Sequence, residues 1–263
     1  MNKYFNHARR LMAVHAVLAG LALLPVLSQA GVVAVTPPTS AGVLDLVQGW
    51  NLVGNSVEAP MAVAATFNDA TKVTTIWKWV TSGSTPGIAY PAWAFYSPVQ
   101  ADGGQAYAAS KGYDFLTTIQ AGEGFWVNAR TPFTATLPSA AAVQPSSFMP
   151  ALASPPTPGG THALAHGWNL IATGANPTPA QLNAAIATSA STPPAAGQVS
   201  TNLTTLWAWN ASAPGWYFWA PGLVNNGTLG SYLSTKGYLD FATLPGTTAG
   251  TLSPTTGAWV NVP

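Results

Sequence analysis

The sequence predicts a mainly β protein with two tandem homologous antiparallel β domains, each a sandwich or small barrel-like structure with one short helix. Three observations predict this class. A block that opens with Gly49-Trp50-Asn51-Leu52 returns at Gly167-Trp168-Asn169-Leu170. Runs of aromatic and β-branched residues lie between turns rich in glycine, proline and serine, which is typical of hairpins. Charged residues make up 6% of the chain and hydrophobic residues 48%, a balance that favours a packed core over disorder.

The N-terminal residues are predicted to be a secretory signal peptide rather than part of the fold. Three basic residues precede an apolar run over residues 11–27, and Ser28-Gln29-Ala30 fits a small-residue cleavage site. The alternative is a retained membrane anchor, but a span needs about 20 apolar residues, and Pro25 favours cleavage. We therefore expect a secreted protein, extracellular, at the cell surface or periplasmic, with no stable membrane span after cleavage.

The predicted domain organisation follows the repeat. It comprises a signal peptide over 1–30, a lead-in over 31–42, a first β domain over 43–137, a linker rich in Pro, Ser and Ala over 138–161, and a second β domain over 162–263. Two domains of this length lie in the usual size range. The chain has no cysteine, so each domain has to be held together by its apolar core.

The charge balance excludes two classes of function. Without the basic residues of the signal peptide, five basic residues remain against seven acidic ones. A nucleic-acid-binding protein needs a basic patch that neutralises phosphates, and a polybasic membrane-surface protein needs a similar patch. The chain fits neither class. It carries no cofactor motif either, so we expect no nucleic-acid partner and no cofactor.

The opening strand of each domain is predicted from alternation. With a period of two, one face of the first strand carries Leu44, Leu46, Trp50 and Leu52. The second domain has leucine and tryptophan at matching places. We therefore expect one continuous strand in each domain, with these side chains turned to a single core.

A short helix is predicted after the opening strand. In the second domain Thr178 can cap it, Pro179 fits its first position and Gln181 completes a capping box. Leu182 and Ile186 then share its buried face. The first domain repeats these offsets with a weaker capping residue.

The strongest strand pattern covers residues 74–79 and returns at 204–209. Alternation separates the two tryptophans of the first of these strands from Lys78. A glycine-rich and proline-rich turn follows, and then the aromatic runs 93–96 and 216–219. Each domain is therefore predicted to contain an antiparallel hairpin.

The end of the two domains differs. The closing strand carries Trp126 in the first domain and Trp259 in the second. Residues 133–137 then alternate like one more strand, and the second domain has no equivalent before Pro263. Either an open sheet edge is left that another chain could fill, or the lead-in or linker covers it.

The order of the motifs resembles a β-rich repeat unit of exported bacterial surface proteins. The shared motifs are Gly-Trp-Asn-Leu, Ile-Trp-x-Trp, Trp-x-Phe-Tyr, Lys-Gly-Tyr and Gly-x-Gly-Phe-Trp-Val-Asn. The resemblance covers residues 43–137 and 162–263. The second domain departs from it at the closing motif, where Thr256 and Ala258 replace Glu123 and Phe125. The resemblance implies an exported module with no assigned catalytic activity, and it carries over no catalytic residues.

The tryptophans have two interpretations, a buried core or a flat platform that stacks on sugar rings. Tyr96 alternates away from Trp93 and Phe95, and Trp219 alternates away from Trp216 and Phe218, so Tyr96 and Trp219 are the candidate ligand-binding residues. Lys78 lies on the same off-core face of its strand and is the third candidate. Ala208 holds the equivalent place in the second domain, which weakens a polar role shared by both domains.

The predicted function is a secreted, non-catalytic binding or scaffolding module with a glycan or a cell-surface or matrix protein as partner. The alternative is a structural subunit of a surface layer, appendage or extracellular matrix. A glycan-active enzyme is the less favoured alternative, because it would need two carboxylates about 5–10 Å apart. No single motif supplies such a pair, and only residues distant in the chain, among two glutamates and five aspartates, could form one. His162 and His166 lead into a strand in which four residues span about 13 Å, so no metal is predicted between them.

Overall fold

The computed structural model describes residues 42–150, 162–186, 194–246 and 248–263. These residues belong to one compact unit, Val35–Pro263. The predicted signal peptide and nearly all of the lead-in lie outside the described residues, as do residues 151–161 of the predicted linker. Below, the first half is residues 42–137, the linker segment is 138–150, and the second half is 162–263.

The described residues form sixteen β-strands and five short α-helices, so the prediction of a mainly β fold is confirmed. The strands are β1 (Val43–Leu46), β2 (Gly49–Gly54), β3 (Met61–Ala62), β4 (Val73–Val80), β5 (Ala92–Tyr96), β6 (Asp114–Phe115), β7 (Thr118–Ile119), β8 (Gly124–Ala129), β9 (Phe133–Thr136), β10 (Phe148–Pro150), β11 (His162–Leu164), β12 (Gly167–Ile171), β13 (Thr205–Asn210), β14 (Gly215–Trp219), β15 (Leu239–Asp240) and β16 (Ala258–Val262). The helices are α1 (Val63–Thr66), α2 (Gln105–Lys111), α3 (Pro179–Ala185), α4 (Pro221–Asn225) and α5 (Leu229–Lys236).

Ten strands form two five-stranded sheets with the same strand order. The first sheet runs β2-β8-β4-β5-β6 and the second runs β12-β16-β13-β14-β15. Neighbouring strands are antiparallel except for the last, parallel pair of each sheet. The register also agrees, because Leu52 lies opposite Trp126 and Leu170 lies opposite Trp259. Both predicted hairpins are present, as β4–β5 and β13–β14.

The opening stretch of each half is two strands rather than one. The Asn51 side chain accepts a hydrogen bond from Val47 N at 3.0 Å and donates one to Val47 O at 2.7 Å, which fixes the turn between β1 and β2. Asn169 makes the same pair of bonds to the residue four positions before it. Leu44 and Leu52 therefore belong to different hydrophobic clusters, and the prediction that they share one face is wrong.

Helix α3 forms as its capping box predicts. The Thr178 hydroxyl accepts from Gln181 N at 3.2 Å, and the Gln181 side chain accepts from Thr178 N at 2.8 Å. Pro179 occupies the first turn. Leu182 and Ile186 are fully buried. Helix α1, which has no side-chain cap, is only four residues long.

Each half contains more helix than the single one predicted. Helices α2 and α5 both end at the Lys-Gly-Tyr motif, where Gly112 and Gly237 have φ of 69°. Glycine reaches this left-handed conformation without strain, and a glycine directly after a lysine is a common signal for a helix C-terminus. The motif therefore marks the C-terminus of a helix. A lysine followed by glycine is a local signal for such an end, and a search for strand alternation does not detect it.

The linker segment covers the sheet edge that lacks a strand in the second half. In the first half β1 pairs with β9 in antiparallel fashion. In the second half β11 pairs in parallel with β10, so that Phe148 lies opposite His162. Phe148 and Val143 are at most 1% exposed and pack in the core of the second half. The edge is thus filled by this chain itself, while the unit boundaries around the linker stay a prediction.

Both faces of each five-stranded sheet are covered. One face of the first sheet packs on a core that contains Ile76 and Phe125, and the corresponding face of the second sheet packs on a core that contains Leu206 and Val260. The opposite faces carry most of the tryptophans. In β4, for example, Ile76 lies on the first core and Trp77 on the other side, as alternation predicts.

Candidate functional site

The two five-stranded sheets meet through a layer of indole rings. This tryptophan layer consists of Trp50, Trp77, Trp79, Trp93, Trp126, Trp168, Trp209, Trp216 and Trp259. Neighbouring rings in the layer have centroids 5.1–6.2 Å apart and meet edge to face. This geometry is favoured because the positive edge of one ring meets the negative face of the next.

Contacts across the tryptophan layer occur in matched pairs. Trp79 Nε1 donates to Trp168 O at 3.1 Å, and Trp209 Nε1 donates to Trp50 O at 2.9 Å. In each pair an indole from the third strand of one sheet bonds the backbone of the edge strand of the other. The two halves therefore use the same surface against each other.

The backbones of the two sheets also come together at the rim of the layer. Gly257 N donates to Leu52 O at 3.3 Å, and Ala172 N donates to Gly122 O at 2.8 Å. A Cβ atom on Gly257 would lie 2.3 Å from Val53 O, closer than any side chain can approach a backbone oxygen. Glycine at position 257 is therefore needed for this close approach.

None of the eleven tryptophans is exposed. Trp77 and Trp126 are only 7% and 6% exposed, and the remaining members of the layer are half-buried between the sheets. Burial favours the interpretation of these residues as core. Because none of these rings is fully exposed, burial counts against a flat platform on which a sugar ring could stack.

The three predicted site residues do not form one site. Tyr96, Trp219 and Lys78 are 5%, 6% and 8% exposed. Tyr96 lies in the core of the first half, and Trp219 lies in the core of the second half. Alternation correctly placed both rings opposite the tryptophan layer. That opposite side is a second core rather than solvent, so neither ring is available to a ligand.

Two clefts lie where the sheets meet. The larger, which we call the polar cleft, has a volume of about 300 Å³, and its lining includes Trp79, Ser82, Gln120, Glu123, Phe148 and His162. The smaller, which we call the second cleft, has a volume of about 160 Å³, and its lining includes Asp45, Asn51, Trp209, Asn210, Tyr217 and Thr256. Trp79 and Trp209 hold equivalent places, so the two clefts are related features of the two halves.

An ion pair lies at the polar cleft. Lys78 Nζ is 2.7 Å from Glu123 Oε2 and donates to Thr118 O at 3.4 Å. Gln120 N donates to the same Glu123 Oε2 at 2.6 Å. The Lys78 side chain is 10% exposed and the Glu123 side chain 30%. A cation this deeply buried needs a partner, because an unpaired buried charge costs several kcal/mol.

A second polar pair joins the first half to β11. His162 Nε2 lies 3.1 and 3.2 Å from the two carboxylate oxygens of Glu58, and its ring packs 5.5 Å from that of Phe148. His166 is exposed. Across the described residues, no three His, Asp or Glu side chains come together as a metal site.

Sequence reasoning missed both polar pairs because their partners are far apart in the chain. Glu58 and His162 are separated by 104 positions, and Lys78 and Glu123 by 45. One signal was present. Lys78 corresponds to Ala208 and Glu123 to Thr256, so both charges change together between the halves, as residues in contact often do.

The described part of the chain contains no helix that is long and apolar enough to cross a membrane. No known protein family, curated protein or solved structure matches the chain. The resemblance to repeat units of exported surface proteins therefore stays a prediction.

Proposed function

We propose that the chain is an exported, non-catalytic scaffolding module made of two copies of one β unit joined face to face. The observation that carries this proposal is the burial of the tryptophans in a layer between the sheets. A module that recognised glycans on an aromatic platform would present ring faces to solvent. Here the rings pack the two halves against each other, in a chain that has no cysteine and therefore no disulfide bond between the halves.

Several features support the duplication that this proposal includes. The two sheets have the same strand order and matching registers. Helices α2 and α5 end at the same motif. The indole-to-carbonyl bonds across the layer come as an equivalent pair. A unit that recognised a second copy of itself, and was then joined to that copy in one gene, would have these properties.

The state of the two glutamates supports a non-catalytic role. Glycoside hydrolysis needs one carboxyl that gives a proton and another that stays ionised, on either side of the scissile bond. Glu123 is matched to Lys78, and Glu58 is matched to His162. Each glutamate already contacts a basic side chain, which supports a role of these two residues in holding segments of the fold together.

Export is inferred from the predicted signal peptide over residues 1–30. If the chain is exported and cleaved after Ala30, N-terminal sequencing of the protein recovered outside the cytoplasm should begin at Gly31. A mature protein that retains Met1 or the residues that follow it would contradict this part of the proposal.

The scaffolding role is tested by light scattering on the mature chain over a wide range of concentration. A structural subunit should form species larger than one chain as the concentration rises, and the large species should dissociate on dilution. A strict monomer at every concentration would overturn the scaffolding role and favour the binding role instead.

Binding is the second candidate function, and the polar cleft is the observation that favours it. Glycan remains the leading class of ligand, at this cleft rather than at Tyr96 and Trp219. A screen for retention on soluble and insoluble polysaccharides tests this candidate, and a chain that none of them retains would argue against it.

A further inference from the structure

The polar cleft has an ion pair that the fold itself does not require. The second sheet has the same strand order as the first, yet Ala208 and Thr256 stand where the first half has Lys78 and Glu123. Replacing a buried ion pair by well-packed apolar residues of similar volume is often neutral or stabilising, so a buried ion pair is weak evidence for a stabilising role. A charged pair kept in only one of two equivalent clefts therefore suggests a task other than stability.

The ion pair holds one oxygen of Glu123 and leaves the other for a ligand. Lys78 Nζ and Gln120 N both bond to Oε2, at 2.7 and 2.6 Å. Among the described residues, Oε1 has no such partner. Because two donors fix Oε2, the carboxylate cannot turn freely, and Oε1 is a preoriented acceptor at a side chain that is 30% exposed.

The lining of the polar cleft combines apolar and polar groups. Leu164, Leu170 and Phe148 are buried apolar residues of the lining, and Ser82 and Gln120 are exposed polar ones. A sugar ring has matching surfaces, with C–H groups on its faces and hydroxyls around its edge. A volume of about 300 Å³ lies at the lower end of the range for ligand pockets, which fits one small ring.

The charges favour an uncharged ligand. The carboxylate of Glu123 is already balanced by the ammonium group of Lys78. A cationic or anionic ligand would bring an unmatched charge next to this pair and would have to be desolvated. A neutral hydroxyl loses less hydration, and it gains a charge-assisted hydrogen bond to a carboxylate.

We propose that the polar cleft binds one neutral sugar residue, with Glu123 Oε1 accepting hydrogen bonds from its hydroxyls and the apolar lining facing its C–H groups. Lys78 acts as a positioning residue that holds the Glu123 carboxylate in place. The second cleft, which has Thr256 in place of Glu123, does not share this site.

The test is an NMR titration of the isotope-labelled mature chain with D-glucose, D-galactose and D-mannose. At least one of these sugars should shift the indole signal of Trp79, which lines the cleft and is assigned with Trp79→Phe. D-Glucuronate and D-glucosamine serve as charged probes and should bind about tenfold more weakly. No shift with any neutral sugar, or tighter binding of a charged probe, would overturn the proposal.

Variants separate the site from the fold. Glu123→Gln should weaken sugar binding about tenfold, because it replaces a charged acceptor by a neutral one. Thr256→Val in the second cleft is the matched control and should leave binding unchanged. Ser82→Ala, at an exposed position on the rim, gives a second variant if Glu123→Gln does not fold, and it should weaken binding severalfold. Unchanged affinity in folded Glu123→Gln or in Ser82→Ala would contradict the assignment.

This inference goes beyond the scaffolding role, and the two can fail separately. Light scattering reports assembly whether or not the cleft binds sugar, and the titration reports the cleft whether or not the chain assembles. A chain that assembles but shows no sugar-dependent shift keeps the scaffolding role and loses the site assignment, together with the candidate function of glycan binding at this cleft.

Discussion

Lys78 illustrates how much a side chain's role depends on its surroundings. Alternation placed it on the face opposite the tryptophans, and that placement agrees with the structure. Its partner Glu123 comes from the turn before β8, at a distance along the chain that no local pattern encodes. A residue that looked like a surface candidate is therefore a largely buried cation, held by one carboxylate and one backbone oxygen.

The first prediction concerns this pair. Lys78→Ala should lower the free energy of unfolding by about 1–3 kcal/mol, because the bonds of Glu123 to a charged donor are lost. Adding Glu123→Thr should recover part of the loss, since the double variant carries the residues found at the equivalent places of the second half. Urea denaturation of the two single variants and the double variant measures the coupling. Strictly additive losses would contradict this expectation.

The second prediction concerns Tyr96. Burial raises the pKa of its hydroxyl, as it does for Tyr232 and Tyr238. The folded state then holds the phenol proton more tightly than the unfolded state. This contribution is complete below the unfolded pKa of about 10, and it is lost as the pH rises through the higher folded value.

Stability should therefore fall at alkaline pH, and Tyr96→Phe should fall less steeply. Urea midpoints measured below and above about pH 10 compare the two proteins. Equal slopes in the wild type and in Tyr96→Phe would show that Tyr96 ionises as freely in the folded as in the unfolded state.

At the scale of elements, the linker strand β10 is the most informative feature. It takes the place that a missing strand would leave in the second half, but in parallel orientation. Its role can be tested with two neighbouring residues that differ in burial. Phe148 is 1% exposed and Met149 is 44% exposed.

The third prediction is that Phe148→Ala lowers the free energy of unfolding by about 3–5 kcal/mol, since it removes a large side chain from the core. Met149→Ala, the matched control on the same strand, should change it by less than about 0.5 kcal/mol. Chemical denaturation measures both. Similar small effects would mean that β10 contributes little to the core of the second half.

Much of the secondary structure could be predicted from the sequence because it depends on local rules. The capping box at Thr178 and Gln181 fixed α3, and alternation separated Ile76 from Trp77. Alternation, however, predicts only which side chains share a face of a strand. It does not predict that both faces of the sheet are buried. The buried positions of Tyr96 and Trp219 depend on how whole sheets pack, and so does the polar cleft, which needs contacts more than 100 positions apart.

The fourth prediction concerns the approach of the two sheets. Gly257→Ala should lower the free energy of unfolding by about 1–3 kcal/mol, because its Cβ would meet Val53 O and force the backbones apart. Gly230→Ala in helix α5 is the matched control. Nothing lies near its Cβ position, and alanine favours a helix by up to about 1 kcal/mol. Denaturation curves that rank the two variants in the opposite order would exclude close packing at this junction.

At the scale of the whole molecule, the tryptophan layer joins the two halves without a covalent cross-link such as a disulfide bond. Burial of many aromatic rings, with matched indole-to-carbonyl bonds, gives a strong interface of the kind seen between permanently associated subunits. The polypeptide between residues 150 and 162 is therefore not expected to be what holds the two halves together.

The fifth prediction follows from that interface. A specific protease site introduced between residues 150 and 162 should allow cleavage of the folded protein into two pieces that still elute together in size-exclusion chromatography. The variant Trp79→Ala with Trp209→Ala loses both indole bonds to the opposite sheet, and its cleaved pieces should separate more readily. Immediate separation of the cleaved wild-type pieces would show that the tether, rather than the layer, maintains the assembly.

Strand β10 also determines which segment of the gene has to be transferred if the second unit is to fold in another protein. A gene fragment that begins at His162 would encode the repeated motif without the residues that pair with β11 and fill its core. Transfer of the second unit into another protein by recombination would succeed only if the upstream stretch that contains Val143 and Phe148 travelled with it. The segment that has to be transferred for the second unit to fold is therefore longer than the repeated sequence motif.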